Sequence, residues 1–595
     1  MVPVNVLVVD DSLKHLKYIV REAKKAVARR GFNVGRWYVA TTANDALEAV
    51  RTKSVDVALI DLCLDEANSH DSSGVRIAEA LRSKNPNVEL VLVTAHMARA
   101  LEDHIDLTVF DEKIVEKRDD YLTNALPNMF IKCVRKRMGL FHRERFCRNI
   151  NRATKTMWAL GLKANRKGLS FFDVTIPALP DDGLALQTVS LGVCGTDILA
   201  FGGDVKSDLD LVGFHEAVGK VLWRGSEIDK DTFAEGDLVI PMVRRCQTWS
   251  PPLTRSSIDV FDFTFEPCKL GSSCDCFRRP DACPIGEYQS LYKGQKVGYR
   301  SRGTGSCHGF GSEFFVDSPE WLVRAVPKEM IRDYPPEFLK RLILVEPLAV
   351  VCKMKREIER VRPIRSFQDS MLTLGMGPIG YLGTVVMHTM YPGLRCTSVD
   401  RMPIGKPWIA SLQQDYVPEV KYHRIDKEQA WSDDVAAKQF DIVIEATGEP
   451  QKVIGKAIDA LAPNGVLALL SVIGRTSKDS VAIKSSDINK IVKKNATIIG
   501  TINESRIDFE NALNFLKSFH SKKKSLLDPL ITRFRIDRDV VARVTAVKKG
   551  RENWDERKEA PKIVLDAMDR ISGGGRSTVL RGISGPRLSG GVEKI

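Results

Sequence analysis

The first part of the chain alternates short apolar runs with helical patterns. Apolar runs of strand length lie at 4–10, 55–62, 88–95 and 111–117. A final amphipathic helix is predicted from about Asp119. This alternation predicts a parallel sheet with helices on both faces. We therefore expect an α/β domain over residues 1–130, with ligands at the carboxyl ends of its strands.

Polar residues end these predicted strands, and together they suit phosphoryl transfer. They are Asp10, Asp11, Asp61, Thr94 and Lys117. Clustered carboxylates bind a hard cation such as Mg²⁺ through oxygen. The cation would neutralise charge as a phosphoryl group moves onto Asp61, while the Lys117 ammonium pairs with it. A nearby hydroxyl can report the new phosphate by reorienting.

On these residues, 1–130 resembles a response-regulator receiver domain, which has a flavodoxin-like fold. The resemblance implies that Asp61 is phosphorylated and that Asp10, Asp11 and Asp61 hold Mg²⁺. It implies that Thr94 and Lys117 form the switch, and that the partner is a histidine kinase or phosphotransfer protein. Two features depart from the family: the loop after Asp61 is longer than usual, and Arg118 stands where proline is common.

From about Lys163 the pattern changes to short strands and turns, which predicts a β-rich domain. Cys194 lies in GVCGTD, and His215 and Glu216 lie in GFHEAVG. Zn²⁺ prefers thiolate, imidazole and carboxylate ligands, and a catalytic zinc keeps one position open. These two motifs therefore indicate a catalytic zinc site.

Residues 370–390 are predicted to form a strand, a glycine turn and a helix. The turn has the pattern G-x-G-x-x-G, formed by Gly375, Gly377 and Gly380. These glycines allow a tight turn, close approach of a pyrophosphate and close packing of the helix on the strand. Asp400 ends the next strand at the spacing that reaches ribose hydroxyls. The pattern predicts a dinucleotide-binding domain.

Together these motifs resemble the zinc-dependent medium-chain alcohol dehydrogenase family over about 163–570. The segments most similar to its glucose dehydrogenase branch are TGSCHGFGSEFFVD (304–317), LVEPLAVVCK (344–353), GTINESRIDFENAL (500–513) and PLITRF (529–534). The resemblance implies a GroES-like catalytic domain at 163–355 and an inserted, doubly wound Rossmann domain at 356–510. A C-terminal return to the catalytic domain would follow at 511–570.

The same resemblance implies roles for individual residues. Cys194, His215 and Glu216 would surround the catalytic zinc, with Glu346 as a further ligand or a water-mediated partner. Thr196 would lie by the reacting hydroxyl. The nucleotide would be bound by Gly375, Gly377, Pro378, Ile379, Gly380, Asp400, Arg401, Thr447 and Asn503. Zinc would polarise the alcohol oxygen and lower its pKa while hydride leaves for nicotinamide.

A second zinc site and the substrate are left open by the sequence. The spacing C-x5-C-x1-C-x6-C, where the family usually has C-x2-C-x2-C-x7-C, is formed by Cys268, Cys274, Cys276 and Cys283. A structural zinc and free surface thiols are both open interpretations. Ser290 and Val350 stand near positions where the glucose branch has sugar-contacting acids. We therefore expect a polyol or sugar-like alcohol rather than glucose itself.

Cofactor choice is open between NAD and NADP. Asp400 repels a 2′-phosphate and can hydrogen-bond ribose, which favours NAD. Arg401, next to it, could instead receive that phosphate.

The chain has 595 residues and a net charge of +13. Much of this charge lies between Lys132 and Lys167, where twelve Lys or Arg residues face one acid, Glu144. We expect a basic connector helix at 131–162. Nucleic-acid binding is the alternative for such a segment, but no helix-turn-helix candidate lies beside it.

Further features of the sequence concern its location and its end. Apolar runs are too short for a membrane span, and Asp10 and Asp11 interrupt the apolar stretch near the start, so a cytoplasmic protein is expected. The cysteines are expected to be reduced thiols rather than a disulfide framework. The glycine- and serine-rich tail 571–595 is expected to be disordered.

Two functions from different classes remain. The first is a zinc-dependent NAD(P) oxidoreductase, expected to be a homo-oligomer (dimer or tetramer), whose activity or assembly is modulated by the receiver. The second is a signalling protein that senses NAD(H) or a metabolite through an inactive dehydrogenase module. The complete set of Cys194, His215, Glu216 and Glu346 favours the enzyme, because a sensor need not keep the metal.

Overall fold

The structure is a computed structural model of the chain. It describes residues 4–29, 32, 34–65, 71–95, 105–110, 113–117, 119–150, 155–163, 168–179, 181–200, 210–248, 290–292, 295–303, 308–416, 420–425, 435, 438–471, 483–502, 504–520, 526–537, 539–544 and 562–567. Some predicted features lie outside these ranges, namely Arg118, the four clustered cysteines, Asn503 and the tail 571–595.

The N-terminal domain is a five-stranded parallel sheet in the order β2-β1-β3-β4-β5. Its elements are β1 (Val4–Val9), α1 (Leu13–Arg29), β2 (Val34–Ala40), α2 (Ala43–Thr52), β3 (Val57–Ile60), α3 (Ser73–Lys84), β4 (Glu89–Thr94) and β5 (Ile114–Glu116). Successive residues of β1 enter different apolar clusters, with Val6 and Val8 on one face and Leu7 and Val9 on the other. The sheet is therefore covered on both sides, which confirms the predicted α/β fold.

A single helix, α4 (Asp119–Asn149), leaves this domain and reaches the next one. Its 31 residues span about 46 Å at 1.5 Å per residue. Leu126, Phe130 and Val134 pack into the core of the first domain, whereas Phe146 and Cys147 pack against the following strands. We call α4 the connecting helix.

The predicted connector at 131–162 is wrong at its C-terminal end, whereas the start of the helix predicted from about Asp119 is confirmed. The helix begins at Asp119, because its first half is the last helix packed on the N-terminal sheet. It ends at Asn149, and Thr156–Leu162 form a strand instead. That segment pairs antiparallel with Leu169–Thr175, so its apolar residues serve a sheet rather than a helix.

The β-rich domain follows the connecting helix. Its elements are β6 (Thr156–Leu162), β7 (Leu169–Thr175), β8 (Leu184–Val193), α5 (Gly195–Ala200), β9 (Leu211–Val212), β10 (Glu216–Arg224), β11 (Leu238–Pro241), β12 (Arg244–Thr248), β13 (Ser290–Tyr292), β14 (Gln295–Ser301), β15 (Phe314–Asp317), β16 (Leu322–Val326) and α6 (Pro336–Arg341). Two three-stranded sheets have the orders β7-β6-β9 and β12-β14-β13.

A dinucleotide-binding fold and a return to the β-rich domain complete the chain. Their elements are α7 (Val345–Val361), β17 (Ser370–Leu374), α8 (Pro378–Met390), β18 (Arg395–Asp400), α9 (Pro407–Tyr416), β19 (Val420–Arg424), β20 (Phe440–Glu445), α10 (Pro450–Asp459), β21 (Leu461–Leu469), α11 (Ser485–Lys493), β22 (Thr497–Gly500), α12 (Arg506–His520), β23 (Ile531–Arg535) and β24 (Lys562–Asp566). Short 3₁₀ turns lie at Thr108–Phe110, Pro319–Trp321, Lys328–Asp333, Leu342–Leu344 and Asp528–Leu530.

The six parallel strands run in the order β19-β18-β17-β20-β21-β22, which is the doubly wound arrangement that was predicted. The expected boundary at 355 falls inside α7, which continues from one domain into the other.

The larger sheet of the β-rich domain has the order β16-β11-β10-β8-β24-β23, with β15 also paired to β8. The last two strands of the described residues, β23 and β24, therefore extend the larger sheet of the β-rich domain. Within the described residues, no helix is both long and apolar enough to cross a membrane.

Candidate metal and nucleotide sites

Three side chains of the β-rich domain meet at one end of its main sheet. Cys194 directly follows β8, and His215 and Glu216 lie at the start of β10. These strands pair antiparallel, with Glu216 opposite Gly192. One ligand atom from each of the three residues lies within 4.8 Å of the other two. A thiolate, an imidazole and a carboxylate at this separation fit a zinc ion.

Asp197 orients two members of this cluster. Its carboxylate accepts a hydrogen bond from the backbone N–H of Cys194 at 2.9 Å and lies 3.7 Å from Nδ1 of His215. A carboxylate beside one ring nitrogen leaves the other free for a metal. Sequence reasoning gave Asp197 no role, although its position three residues after Cys194 is typical of a helix-capping carboxylate.

The charges in the cluster perturb one another. Burial lowers the pKa of His215, but Asp197 and Cys194 outweigh it and raise that pKa well above its usual value. Burial raises the pKa of Cys194, but His215 outweighs it and lowers that pKa. The side chains therefore favour a thiolate in a buried site, which is the form that ligates metal.

The backbone before His215 is held in an uncommon conformation. Phe214 has φ of 64°, in the left-handed region. Its carbonyl accepts a hydrogen bond from the N–H of Phe310 at 2.8 Å. A Cβ on Gly309 would lie 2.2 Å from that carbonyl oxygen. Gly309 thus lets the chain pack closely against the turn that precedes His215, and local backbone strain of this kind costs roughly 1–3 kcal/mol.

Glu216 is engaged from the side of β24. Its Oε2 forms an ion pair with Nζ of Lys562, a lysine that is only 2% exposed. A Cβ on Gly192 would come within 2.0 Å of Oε2, so the carboxylate needs a glycine opposite it. Sequence reasoning missed both Lys562 and Gly192. No local signal in the strand KIVLD marks the first, because its contact with Glu216 depends on the pairing of β24 with β8.

Glu346 and Thr196 lie near the cluster without belonging to the close set of three. Glu346 is buried in the first turn of α7. Burial raises its pKa well above the usual value, and the carboxylates of Glu216 and Glu504 raise it further. The hydroxyl of Thr196 is buried without a hydrogen-bond partner among the described residues. An orphaned hydroxyl of this kind is available to a bound ligand.

The glycine turn has the geometry that a dinucleotide requires. Gly375 has φ of 89°, and a Cβ on it would lie 2.6 Å from the carbonyl oxygen of Ala446. A Cβ on Gly380 would lie 1.8 Å from the carbonyl oxygen of Gly375, so α8 packs tightly on the turn. Gly377 has open space in front of it, where a phosphate can approach. Pro378 and Ile379 then open α8, whose N-terminus favours anions.

Asp400 lies at the end of β18 and is tied to this turn. Its carboxylate accepts hydrogen bonds from the backbone N–H groups of Met376 and, at 3.1 Å, Met402. Burial raises the pKa of Asp400. Arg401 is exposed and lies 3.7 Å from the carboxylate of Glu449. The two residues that bear on cofactor choice therefore lie side by side.

Thr447 lies at the turn after β20. Its N–H and its hydroxyl both donate to Oε1 of the buried Glu445, at 2.8 and 2.6 Å. The hydroxyl also accepts from the N–H of Glu449 at 3.1 Å. These hydrogen bonds fix the conformation of the turn after β20, whose backbone lies next to Gly375.

The N-terminal domain brings its predicted phosphoryl-transfer residues together. One oxygen each from Asp10, Asp11 and Asp61 lies within 4.8 Å of the others. Lys117 pairs with Asp10 at 2.7 Å and also with Asp61. Burial raises the pKa of Asp61 to about 6, against the lowering effect of Lys117. Thr94 is fully buried at the end of β4, and its carbonyl accepts from the N–H of Lys117.

The long loop after Asp61 is tied at both of its described ends by Asp71. The Asp71 carboxylate accepts hydrogen bonds from the N–H groups of Leu64, Asp65 and Ser73, at 2.6–3.0 Å. A Cβ on Gly74 would lie 2.1 Å from the carbonyl oxygen of Asp61. The chain therefore returns close to the acceptor despite its extra length.

Basic residues of the connecting helix pair with acids of both domains. The pairs are Lys136 with Glu89, Arg137 with Asp56, Arg135 with Asp182 and His142 with Asp181, at 3.2, 2.9, 3.7 and 3.0 Å. Part of the local positive charge, on Arg135, Lys136 and Arg137, thus has acidic partners within the chain. This favours a structural connector over a nucleic-acid surface.

Comparison with known proteins agrees with both halves of the structure. Residues 6–112 match the family described as "Response regulator receiver domain", and residues 340–551 match "Glucose dehydrogenase C-terminus". Glucose 1-dehydrogenase of Thermoproteus tenax is 30% identical over 355 residues, covering 58% of this chain and 84% of that protein. Glucose 1-dehydrogenase 1 of Caldivirga maquilingensis is 30% identical over 383 residues, covering 62% and 89%.

Among solved structures, a point mutant of glucose dehydrogenase from Haloferax mediterranei has a TM-score of 0.51 at 24% identity, covering 69% of this chain and 99% of that chain. This likeness supports the fold of the second part. A β-rich domain joined to a doubly wound one, with a Cys, His and Glu cluster at the main sheet, defines a medium-chain dehydrogenase. The chain belongs to the glucose dehydrogenase family of these zinc-dependent enzymes, and a receiver domain precedes its dehydrogenase part.

Proposed function

We propose that the protein oxidises an alcohol group of a sugar or polyol, using zinc and a nicotinamide dinucleotide, under the influence of its receiver domain. The observation that carries the proposal is the cluster of Cys194, His215 and Glu216, whose ligand atoms lie within 4.8 Å of one another. A sensor of NAD(H) would have no need of this set. The buried Glu346 beside it adds a further oxygen donor for the metal or for a water.

The chemistry follows from what surrounds the cluster. Zinc, when bound, polarises the alcohol oxygen and lowers its pKa. The hydroxyl of Thr196, which is buried without a hydrogen-bond partner among the described residues, would accept a hydrogen bond from the alcohol and donate its own proton to a bound water, so that it would relay the proton rather than keep it. The carbon of the substrate gives its hydride to the nicotinamide, which the glycine turn and α8 hold through the phosphates.

A sugar-like substrate is supported by the relatives, which are named glucose 1-dehydrogenases. Ser290 and Val350 stand near positions where the family carries sugar-contacting acids. Val350 is a buried residue of α7. Because its side chain is apolar, it cannot hydrogen-bond a sugar hydroxyl as an acid would. We therefore propose a polyol or a sugar other than glucose.

NAD is the proposed cofactor, with NADP as the alternative. The Asp400 carboxylate opposes a 2′-phosphate and can accept hydrogen bonds from ribose hydroxyls. Arg401 already faces Glu449, and Lys452 also pairs with Glu449 at 2.6 Å. That carboxylate reduces the local positive charge on which a 2′-phosphate would depend.

Modulation by the receiver is supported by the contacts of the connecting helix. The rings of Phe146 and Phe314 meet edge to face at 5.5 Å, and Phe314 pairs with Gln187 of β8. Cys194 directly follows the last residue of that strand, Val193. A kinase or phosphotransfer protein would phosphorylate Asp61 while the acidic cluster holds Mg²⁺. The phosphoryl group adds a charge of about −1.5 to −2, which would change the electrostatic potential at the connecting helix. Changes in activity or in a dimeric or tetrameric assembly are the proposed result.

The test is a panel of sugars, polyols and simple alcohols, with NAD or NADP, before and after zinc removal. We expect turnover of a polyol or sugar-like alcohol that falls on chelation and returns with zinc. Binding of NADH without turnover of any alcohol or aldehyde would favour the sensor over the enzyme.

A further inference from the structure

We propose that Lys562 is a positioning residue of the metal site, holding the Glu216 carboxylate and offsetting part of the negative charge around the metal. The inference rests on the zinc site of the proposed function. It concerns a residue whose ammonium group cannot itself bind a metal cation.

The fold brings Lys562 to this place through strand pairing. Ile563 in β24 lies opposite Val193 in β8, so the residue before Ile563 falls beside Cys194. The ammonium contacts Oε2 of Glu216 and the carbonyl oxygen of Val193, the latter at 3.4 Å. One carboxylate oxygen is thereby engaged, which leaves the second for a metal.

Fold stability alone is a weak reason for this buried pair. Burying an ammonium and a carboxylate costs more than their attraction often returns, and apolar replacements of such pairs can be neutral or stabilising. On the opposite strand, Gly192 leaves room for the Glu216 carboxylate, since a Cβ there would lie 2.0 Å from Oε2. A lysine here therefore calls for an electrostatic reason.

That reason lies in the charge of the donor set. With a cation bound, the Cys194 thiolate and the carboxylates of Glu216 and Glu346 all carry negative charge. The buried Lys562 offsets one of these charges. Removing it makes the site more negative, so a divalent cation should bind more tightly. The same change should weaken the metal's pull on an alcohol oxygen, on which negative charge grows as hydride leaves.

The test compares wild type, Lys562→Met and Lys562→Arg by competition of a chelator for zinc and by steady-state kinetics. For Lys562→Met we expect zinc affinity at least about tenfold tighter, as Coulomb attraction in a buried site implies. We also expect kcat to fall at least about tenfold while KM changes little, since the neutral ground state does not sense the lost charge. Lys562→Arg keeps the charge and should recover most of kcat.

Unchanged or weaker zinc binding by Lys562→Met would overturn the inference, because a merely structural lysine loosens the site when it is removed. If that variant does not fold, Glu216→Gln and the double variant Glu216→Gln/Lys562→Met give the same comparison without an unpaired carboxylate. Zinc must then bind more tightly to the double variant than to Glu216→Gln. Absence of zinc binding by the wild-type protein would instead overturn the proposed function together with this inference.

Discussion

The imidazole of His142 on the connecting helix lies 3.0 Å from the carboxylate of Asp181 in the dehydrogenase part. The same carboxylate accepts a hydrogen bond from the hydroxyl of Ser226 at 2.8 Å. Burial raises the pKa of Asp181, but the hydrogen bonds of His142 and Ser226 outweigh it and lower that pKa. The receiver helix is therefore joined to the enzyme by a partly buried polar contact as well as by apolar packing.

Replacing His142 with Ala should weaken communication between the two parts. We expect kcat of the unphosphorylated enzyme to be nearly unchanged, because His142 lies outside the metal and nucleotide sites. The change that a phosphoryl mimic causes should be at least halved. Glu144→Ala on the same helix, which removes an exposed ion pair with Lys155, is the control and should have no effect. Equal responses of the two variants would exclude this contact as the route.

Phosphorylation of Asp61 should alter activity or assembly. Beryllofluoride or acetyl phosphate with Mg²⁺ is expected to change kcat/KM or the mass in solution, since charge is added where Lys117 and the acidic cluster meet. Asp61→Asn should abolish the change while it leaves the receiver folded. Identical kinetics and mass for both proteins, with and without the mimic, would leave the receiver without a role in catalysis.

Loss of a metal ligand should separate hydride transfer from nucleotide binding. Cys194→Ala and His215→Ala are expected to lose zinc and activity, yet to bind NADH as the wild type does, because the glycine turn belongs to another domain. Metal analysis and titration of NADH fluorescence on the same samples measure both. Cys133→Ala, which removes a buried thiol of the connecting helix, should keep its zinc. Full activity in zinc-free His215→Ala would contradict the assignment.

Asp400 should govern the preference for NAD. For Asp400→Ser the ratio of NADP to NAD efficiency is expected to rise at least tenfold, about 1.4 kcal/mol, because repulsion of the 2′-phosphate is lost. Affinity for both nucleotides should fall somewhat, since the carboxylate also holds the N–H of Met376. Adding Arg401→Ala should reduce the gain for NADP. An unchanged ratio would mean that Asp400 does not face the ribose.

Two glycines of the same turn should respond differently to alanine. A Cβ on Gly380 would lie 1.8 Å from a backbone oxygen, so Gly380→Ala should lower the free energy of unfolding by roughly 1–3 kcal/mol. A Cβ on Gly377 meets nothing within 4 Å, so Gly377→Ala should fold normally but bind NADH more weakly. Denaturant unfolding and NADH titration of both variants measure the contrast. Weakened folding in Gly377→Ala would show that this glycine serves packing instead.

The sequence predicted the parts of the fold that depend on short, local patterns of residues. Strand-end acids such as Asp61 and the turn from Gly375 to Gly380 lie in contiguous motifs, and both have the expected geometry. The end of the connecting helix was misjudged, because basic residues continue in the sequence past Asn149 and do not reveal that Thr156–Leu162 form a strand. Asp197 could have been predicted from the sequence, because a carboxylate three residues after Cys194 stands where it can cap the following helix.

Lys562 could not be found in the same way. Its role depends on the register of β24 against β8, which joins segments far apart in the chain. Nothing in KIVLD distinguishes this lysine from one that opens an ordinary strand. The long-range pairing of a sheet is set by the whole hydrophobic core, and local patterns do not record it.

The position of Lys562 in the chain has a consequence for biosynthesis. Domains generally fold as units while the chain emerges from the ribosome. The receiver strands, which end at Glu116, are made long before β24, so the receiver can mature on an unfinished polypeptide. The larger sheet of the β-rich domain cannot be completed until Lys562–Asp566 has been synthesised and pairs between β8 and β23. On a nascent chain the cluster of Asp10, Asp11 and Asp61 can therefore form well before Lys562 reaches Glu216.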